Sequence, residues 1–517
     1  MMKKMTRNRV SLIALAAASI LVVRPGFAHA TATTAQLQAE INDLQAQINA
    51  LSTQQDAVTA QVTDTSIAVK KLATTTSKPP AGGWSVVDNG KLIPDFKNGK
   101  GSEFTMFGQV DLDTGLAAVQ QKVPLKNLQG YQGGVYFHRI ELGFKGVYDN
   151  HFPWEIQEDW TKTGAPLSGL LDVWLGYENK TPLNTETIFR VGNQHVPFGF
   201  RTPSSQTFDM ETGLGDSLFY DGRELGATGQ TYNKHVNLWY GLFTTNVGGS
   251  GCKAATGAST IVPGACYQPG STTNTAYTAG QFALAFDANY NFINTPGHLL
   301  GIRDSFEYNR YNASPINTLN EPSFSAGPDL AVTGEKLINT GNLDIKSAII
   351  NSPRVDFQYN GLTASAEYYS VSTASGITYA GRNYAPGFSG WTLQAQYFLT
   401  DDVEKYSDAD GNYVGVTPKH PVTDGGLGAI QVTARLDEAN LSQAKYGVYG
   451  GNMTNITLGL VWVPIDPFRF DLNFVHTLPI GGAQLATTSG SPPKTTYSNA
   501  YRGHTSDAVG LRLEVQY

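Results

Sequence analysis

Arg139 and Glu141, Arg435 and Asp437, Arg469 and Asp471, and Arg512 and Glu514 stand two residues apart, with Ile140, Leu436, Phe470 and Leu513 between them. On a β-strand that spacing puts both charges on one face and the apolar residue on the other. Such a face must border water. Where the water is enclosed, the charges act on passing ions according to sign and spacing. At the same parity stand Lys145, Arg190, Arg303 and Arg354, against Glu155, Asp159, Asp172, Glu178, Glu307, Asp356 and Glu367. Acids therefore outnumber bases, and many of the arginines are expected to brace the wall in ion pairs and leave little net field. Covalent chemistry has no comparable support. There is no G-x-S-x-G or H-E-x-x-H, and the nine histidines are scattered, so His195 and His476 are read as wall residues. Cys252 and Cys266 lie in a Gly/Ser/Thr/Ala-rich stretch and are expected to pair as a disulfide; zinc needs more ligands than they offer. No catalytic residue, metal or cofactor is called for.

The elements that carry these charges follow from composition. The chain has 55 Gly, 25 Tyr and 24 Phe, with 15% of its residues charged. The single long apolar run is near the N-terminus, so a bundle of membrane helices is excluded. A Gly-rich, aromatic-rich, charge-poor chain of alternating strands suits an outer-membrane barrel, whose apolar band is spread over every second residue.

Residues 1–30 read as a signal peptide, with Lys3, Lys4, Arg7, Arg9 and Arg24, the apolar core SLIALAAASILVV, and the cleavage site AHA. Its removal takes the net charge from −7 to −12, which argues against a nucleic-acid partner. Residues 31–78 are expected to form a periplasmic coiled coil. Leu37, Leu44, Leu51, Val58, Thr65 and Leu72 repeat every seven residues, as do Ile41, Ile48, Gln55, Val62 and Val69. The helix would be roughly 55 Å long and implies an oligomer. A linker is expected over 79–103, marked by ATTTSKPPAGG just before and into it and by KNGKG.

From 104 to 517 alternation recurs in sixteen segments, from 104–119 and 134–149 to 468–480 and 504–517. Tight turns at YDNHFP, YNKHV, NTPGH, YNGL and PIDPF alternate with long connections. One connection, 403–425, falls on the short-turn side yet is long; either a hairpin around SDADGNY adds strands or one strand is mis-split. The fold class is all-β: a transmembrane antiparallel β-barrel of about sixteen strands, preceded by an N-terminal α-helical coiled coil. In the terminal DAVGLRLEVQY, Val509, Leu511, Leu513, Val515 and Tyr517 share one face, and this strand is expected to pair with the first and close the barrel. Its final aromatic looks like the signal read by barrel-assembly machinery.

RVGNQHVPFGFRTPSSQTFDMETGLGDSLFYDGRELG (190–226) resembles the phosphate-selective porin O and P family, with Gly192, Pro197, Phe198, Met210, Glu211, Gly222 and Arg223 in the family's places. GFSGWTLQAQYFLTDDVEKY, GAIQVTARLD and NITLGLVWVPIDPFRFDLNFVHT look like further blocks in the family's order. The resemblance covers the barrel and implies a homotrimer in the outer membrane, with an inward third loop and a lumen that passes phosphate or other anions. The loop at about 200–221 is therefore expected to fold inward and set the constriction. Arg201 and Arg223 flank it, Asp209, Glu211 and Asp216 oppose them, and Arg139, Lys145, Arg190 and Arg435 line the wall. Partners expected are membrane lipid, the assembly machinery, small hydrophilic solutes or anions, and peptidoglycan if the coiled coil also tethers the outer membrane to the cell wall. The alternative is a general-diffusion or sugar porin, marked by aromatic residues on the pore path.

Overall fold

The computed structural model describes residue 42 and residues 83–87, 93–120, 133–162, 169–180, 185–199, 213–219, 222–244, 282–311, 322–327, 330, 336–375, 378–482, 485–489, 494–498 and 502–517. The signal peptide, the heptad segment apart from Asn42, Arg201, Asp209, Glu211, Cys252 and Cys266 lie outside the described residues.

Sixteen strands make one closed antiparallel wall. They are β1 Glu103–Gln120, β2 Gly134–Tyr148, β3 Phe152–Asp159, β4 Leu170–Lys180, β5 Glu186–His195, β6 Arg223–Tyr232, β7 Val236–Phe243, β8 Phe282–Thr295, β9 His298–Arg310, β10 Ser347–Tyr359, β11 Leu362–Ala374, β12 Gly387–Phe398, β13 Ala429–Gln443, β14 Val448–Ile465, β15 Phe468–Thr477 and β16 Thr505–Gln516. Each pairs with its sequence neighbour, and β16 pairs with β1 from Thr505↔Gln120 to Gln516↔Gln109. Tyr517 extends the seam by exchanging backbone hydrogen bonds with Gly108, at 2.9 and 3.0 Å. A Cβ on Gly108 would lie 2.6 Å from the Tyr517 ring, so glycine is what lets the aromatic lie flat on the outer wall.

Alternation decides the faces. Along β15, Phe468, Phe470, Leu472 and Phe474 look outward, while Arg469, Asp471 and Asn473 are buried on the inside. The tight turns have fitting chemistry. Asp149 and Asn150 both take positive φ, in the turn closed by His151 N donating to Tyr148 O at 3.2 Å, and Pro296 precedes Gly297 at φ 76.

Four details differ from the sequence reading. In β2 the register shifts opposite Asp111/Leu112, so His138 is a bulge. Beyond it the faces exchange: Val135 and Phe137 are outside, and Tyr136, which the sequence alternation puts on one face with Ile140, Leu142, Phe144 and Tyr148, sits beside His138 on the lumen side. β5, expected over 186–199, stops at His195, because Pro197 cannot donate to a ladder and Val196 and Phe198 turn inward to complete burial. Within the expected linker, Trp84–Val87 and Asp95–Asn98 form a hairpin. It joins β1 through Phe96↔Phe104 and Lys97↔Glu103, secured by the stacked Phe96–Phe104 rings (4.6 Å) and the Lys97–Glu103 ion pair (2.7 Å). Finally, the hairpin at SDADGNY exists, Tyr406–Ser407 pairing with Asn412–Tyr413, but it adds nothing to the wall. No strand was mis-split.

Candidate pore constriction and wall charges

The connection 399–428 leaves the short-turn rim and folds back into the barrel. A loop inside a wall must find donors for its carbonyls. The lumen faces of seven strands supply donors to its carbonyls and side chains. Asn237 Nδ2 donates to the carbonyls of Asp408 (2.8 Å) and Ala409 (2.9 Å), and Gln230 donates to the latter as well. Asn289 and Asn291 reach Tyr406 Oη at 2.6 and 3.2 Å, Asn294 reaches Asp408 Oδ1 at 2.7 Å, Arg303 Nη1 holds Gly411 O at 3.0 Å, and Gln358 holds Glu404 O at 2.8 Å. The Glu404 carboxylate is buried and accepts from Gln396 (3.1 Å) and Gln431 (3.2 Å). Burial pushes its carboxyl above the ordinary glutamate value, and Arg469 pulls partly the other way.

From the long-loop rim the segment after β5 also comes inward. Its helix α1, Leu214–Phe219, crosses to the far wall, where Leu214 N donates to Asp437 Oδ2 at 3.3 Å. Gly215 lies under the Tyr369 ring so closely that a Cβ would overlap it. Phe198, Leu214, Leu218 and Phe219 pack with Phe324, Leu337, Leu343 and Ile345 of the connection between β9 and β10, a hydrophobic core inside the barrel. Tyr369 Oη joins Glu367 (2.7 Å) to Asp216 (3.3 Å).

The two intrusions meet at Arg354. Its guanidinium, completely buried, pairs with Asp356 (2.9 Å), donates to Gly199 O of the upper segment (3.2 Å), and reaches Asn412 Oδ1 of the lower hairpin (3.4 Å). A fork with several donors is the side chain able to serve three acceptors at once. Arg303–Asp287 (2.6 Å) and Arg435–Asp437 (3.0 Å) are buried pairs of the same kind.

The rest of the wall is different. Across β1–β6 the cations cover the carboxylates. The Arg139 side chain is 31% exposed over Asp111 at 0%, Lys162 51% over Asp159 at 3%, and Arg223 19% over Asp172 at 3%. His138 lies likewise over Asp113, whose oxygens are forked by Arg512 at 2.7 Å each. Lys145 is exposed, 4.8 Å above the Phe107 ring. The reason is reach. An aspartate carboxylate sits one carbon from Cβ against the wall, and the longer cations extend past it towards water.

Of the expected residues, Arg139, Lys145 and Arg223 belong to this exposed set. Arg435 lies instead under α1, with its Cδ 3.9 Å from where a Gly213 Cβ would be, close to Asp216. Arg190 stands apart, 5.1 Å from each of the Trp174 and Trp239 rings and 3.0 Å from Gln230 Oε1. The sequence reading missed Lys162, His138 and the amide row that receives the lower hairpin. The amides had a signal: Asn289 and Asn291 hold lumen positions of a strand where nothing else called for side-chain donors.

Residues 110–478 match the model of a family described as phosphate-selective porin O and P. An uncharacterized protein of Caulobacter vibrioides is 27% identical over 190 residues, 37% of this chain and 34% of that one, so the match spans about a third of the relative's length. Among solved structures, the anion-selective porin from Comamonas acidovorans is 13% identical with TM-score 0.45, covering 80% of this chain and 100% of its own. The outer membrane channel DcaP of Acinetobacter baumannii is 10% identical with TM-score 0.44, covering 82% and 99%. OmpT of Vibrio cholerae is 10% identical with TM-score 0.43, covering 81% and 98%.

Proposed function

We propose a cargo for this chain from the premise that it belongs to the phosphate-selective porin O and P family and is an outer-membrane porin channel. The cargo is small hydrophilic solutes with a preference for anions, phosphate among them, through a homotrimer. One observation carries this reading: along β1–β6 the lumen meets Arg139, Lys145, Lys162 and Arg223, while Asp111, Asp159 and Asp172 lie beneath three of them. An ion responds to the charge nearest its path in a low-dielectric channel, so the order of depth weighs more than the count. The intrusions from both rims fill the opposite side and direct solutes along the cationic one. Arg201, Asp209 and Glu211 would add to the constriction from the upper segment.

The test is charge reversal on the exposed layer. Arg139→Glu with Lys162→Glu should lower chloride over potassium permeability in planar bilayers, and Arg303→Gln, in the buried set, should not. Equal effects from both would defeat the assignment. A general-diffusion or sugar channel is the second reading, favoured by Trp174 and Trp239 on the lumen face around Arg190. It predicts permeability that follows solute size and is indifferent to reversal. A cell-wall tether through residues 31–78 is an added role that pull-down with purified peptidoglycan would test.

A further inference from the structure

We propose that the lower lumen wall of β2–β5 carries a site for a phosphorylated sugar, with the sugar ring on Trp174, its hydroxyls on Glu155 and its phosphate on Lys145. The proposal rests on the anion channel argued above and names a solute class for it. The interior of such a barrel is ordinarily polar, so an indole there needs a reason. Trp174 is half-buried on the lumen face and does not belong to the hydrophobic core that holds the upper segment. Arg190 stands 5.1 Å from its ring and 5.1 Å from that of Trp239, and Gln230 Oε1 fixes the guanidinium at 3.0 Å. Gly192 is the partner of Trp174 across the ladder and gives it no side-chain cover; a Cβ there would lie 2.8 Å from Trp174 Cβ. A flat ring held in this way is a surface for the C–H face of a pyranose.

The neighbours supply the polar half. Lys145, Glu155 and Trp174 are consecutive partners across β2, β3 and β4, all on the lumen face. Among the described residues Glu155 has no hydrogen bond and no ion pair; Asp172, Lys145, Arg223 and Arg190 act on it only from a distance. Lys145 has no carboxylate at its head either. Its ammonium is turned to the Phe107 ring, which lies where a Gly143 Cβ would be 2.4 Å away. Arg139, Lys162 and Arg223 each cover an aspartate, and Lys145 does not. A free carboxylate beside a free ammonium suits a solute with hydroxyl donors and an anionic end.

This set of groups selects among solutes. Inorganic phosphate gains nothing from the indole and is repelled by Glu155. An aromatic acid can stack but brings no hydroxyls for the carboxylate. A neutral sugar leaves Lys145 unused. Strands about 4.8 Å apart put the backbones of Lys145 and Trp174 about 10 Å from each other, a span that a hexose with a terminal phosphate bridges. Lys145 is close to the end of β2 at Tyr148, and Glu155 close to the start of β3 at Phe152. The site therefore lies near the short-turn mouth, beneath the layer formed by Arg139, Lys162 and Arg223.

The test uses the purified full-length channel in planar bilayers, with glucose 6-phosphate, inorganic phosphate and glucose titrated against the potassium chloride current. Glucose 6-phosphate should reduce the current at about ten-fold lower concentration than either of the others. Trp174→Ala should erase that gap, and Trp174→Phe, which keeps a ring, should retain most of it. Glu155→Gln should narrow it from both sides, weakening the sugar phosphate and strengthening inorganic phosphate. Lys145→Gln should bring glucose 6-phosphate towards glucose. Each variant is compared only once its barrel is shown to be heat-modifiable. A wild-type channel in which inorganic phosphate or glucose matches glucose 6-phosphate would overturn the site, as would a gap that survives Trp174→Ala. No gap together with a reversal potential of the chloride sign removes the site and keeps the anion channel. No gap with a potential of the potassium sign removes both.

Discussion

Replacing Arg354 by alanine tests how the two intrusions are held. The guanidinium has no exposed surface, and its loss leaves Asp356 and Glu367 buried without this cation; Ser365 Oγ would still donate to Asp356 Oδ1 at 2.7 Å. Breaking a buried pair from one side costs about 3–5 kcal/mol. The hydrogen bonds to Gly199 O and Asn412 Oδ1, about 1 kcal/mol each, go with it. That cost falls on the contact between upper segment and lower hairpin; the wall ladder does not depend on it. The variant should assemble, remain heat-modifiable, and show larger single-channel conductance with added current noise as the intrusions loosen. Arg354→Lys keeps the charge and loses the fork, so it should fall between. Wild-type conductance and noise in the alanine variant, at an unchanged unfolding temperature, would refute the role given to this residue.

Leu513→Asp places a charge on the lipid face of the closing strand, at a cost of up to a few kcal/mol at mid-depth, and should prevent accumulation of folded barrel in the outer membrane; normal assembly on gels would count against the seam. Deleting 205–217 removes most of α1 and should raise conductance, and an unchanged value would take this segment out of the constriction. Glu404 supplies a pH dependence. Its folded-state carboxyl titrates above the ordinary 4.5, so its contribution to holding the hairpin is full in acid and is lost as pH rises through the folded value. Glu404→Gln should therefore raise the unfolding temperature at pH 8 and leave it nearly unchanged at pH 4; the reverse order would show that the ionised carboxylate is the favoured form.

The strands were legible because one face of each is apolar and the other wet, and a slip by one residue would exchange them all. The turns were legible where they carry Asp-Asn or Pro-Gly. The His138 bulge was not: it costs one residue of alternation, which a stretch such as VYFHRIEL hides behind its aromatics. The hairpin in 399–428 reads as a solvated loop, since its polar tip is bound by side chains far away in sequence, such as Asn237 and Arg303. For the wall charges, parity was readable and depth was not used. Counting signs made the lining acidic; it could not show that the longer arginine lies over the aspartate at Asp111 and Asp172.

The reversal potential of the purified wild-type channel, in a planar bilayer separating unequal concentrations of potassium chloride, tests the central claim most directly. A cation layer over buried carboxylates predicts a potential of the sign set by chloride, reduced when phosphate is added to the same side. A potential of the sign set by potassium would contradict it, and would mean that the carboxylates beneath Arg139, Lys162 and Arg223 govern the path after all.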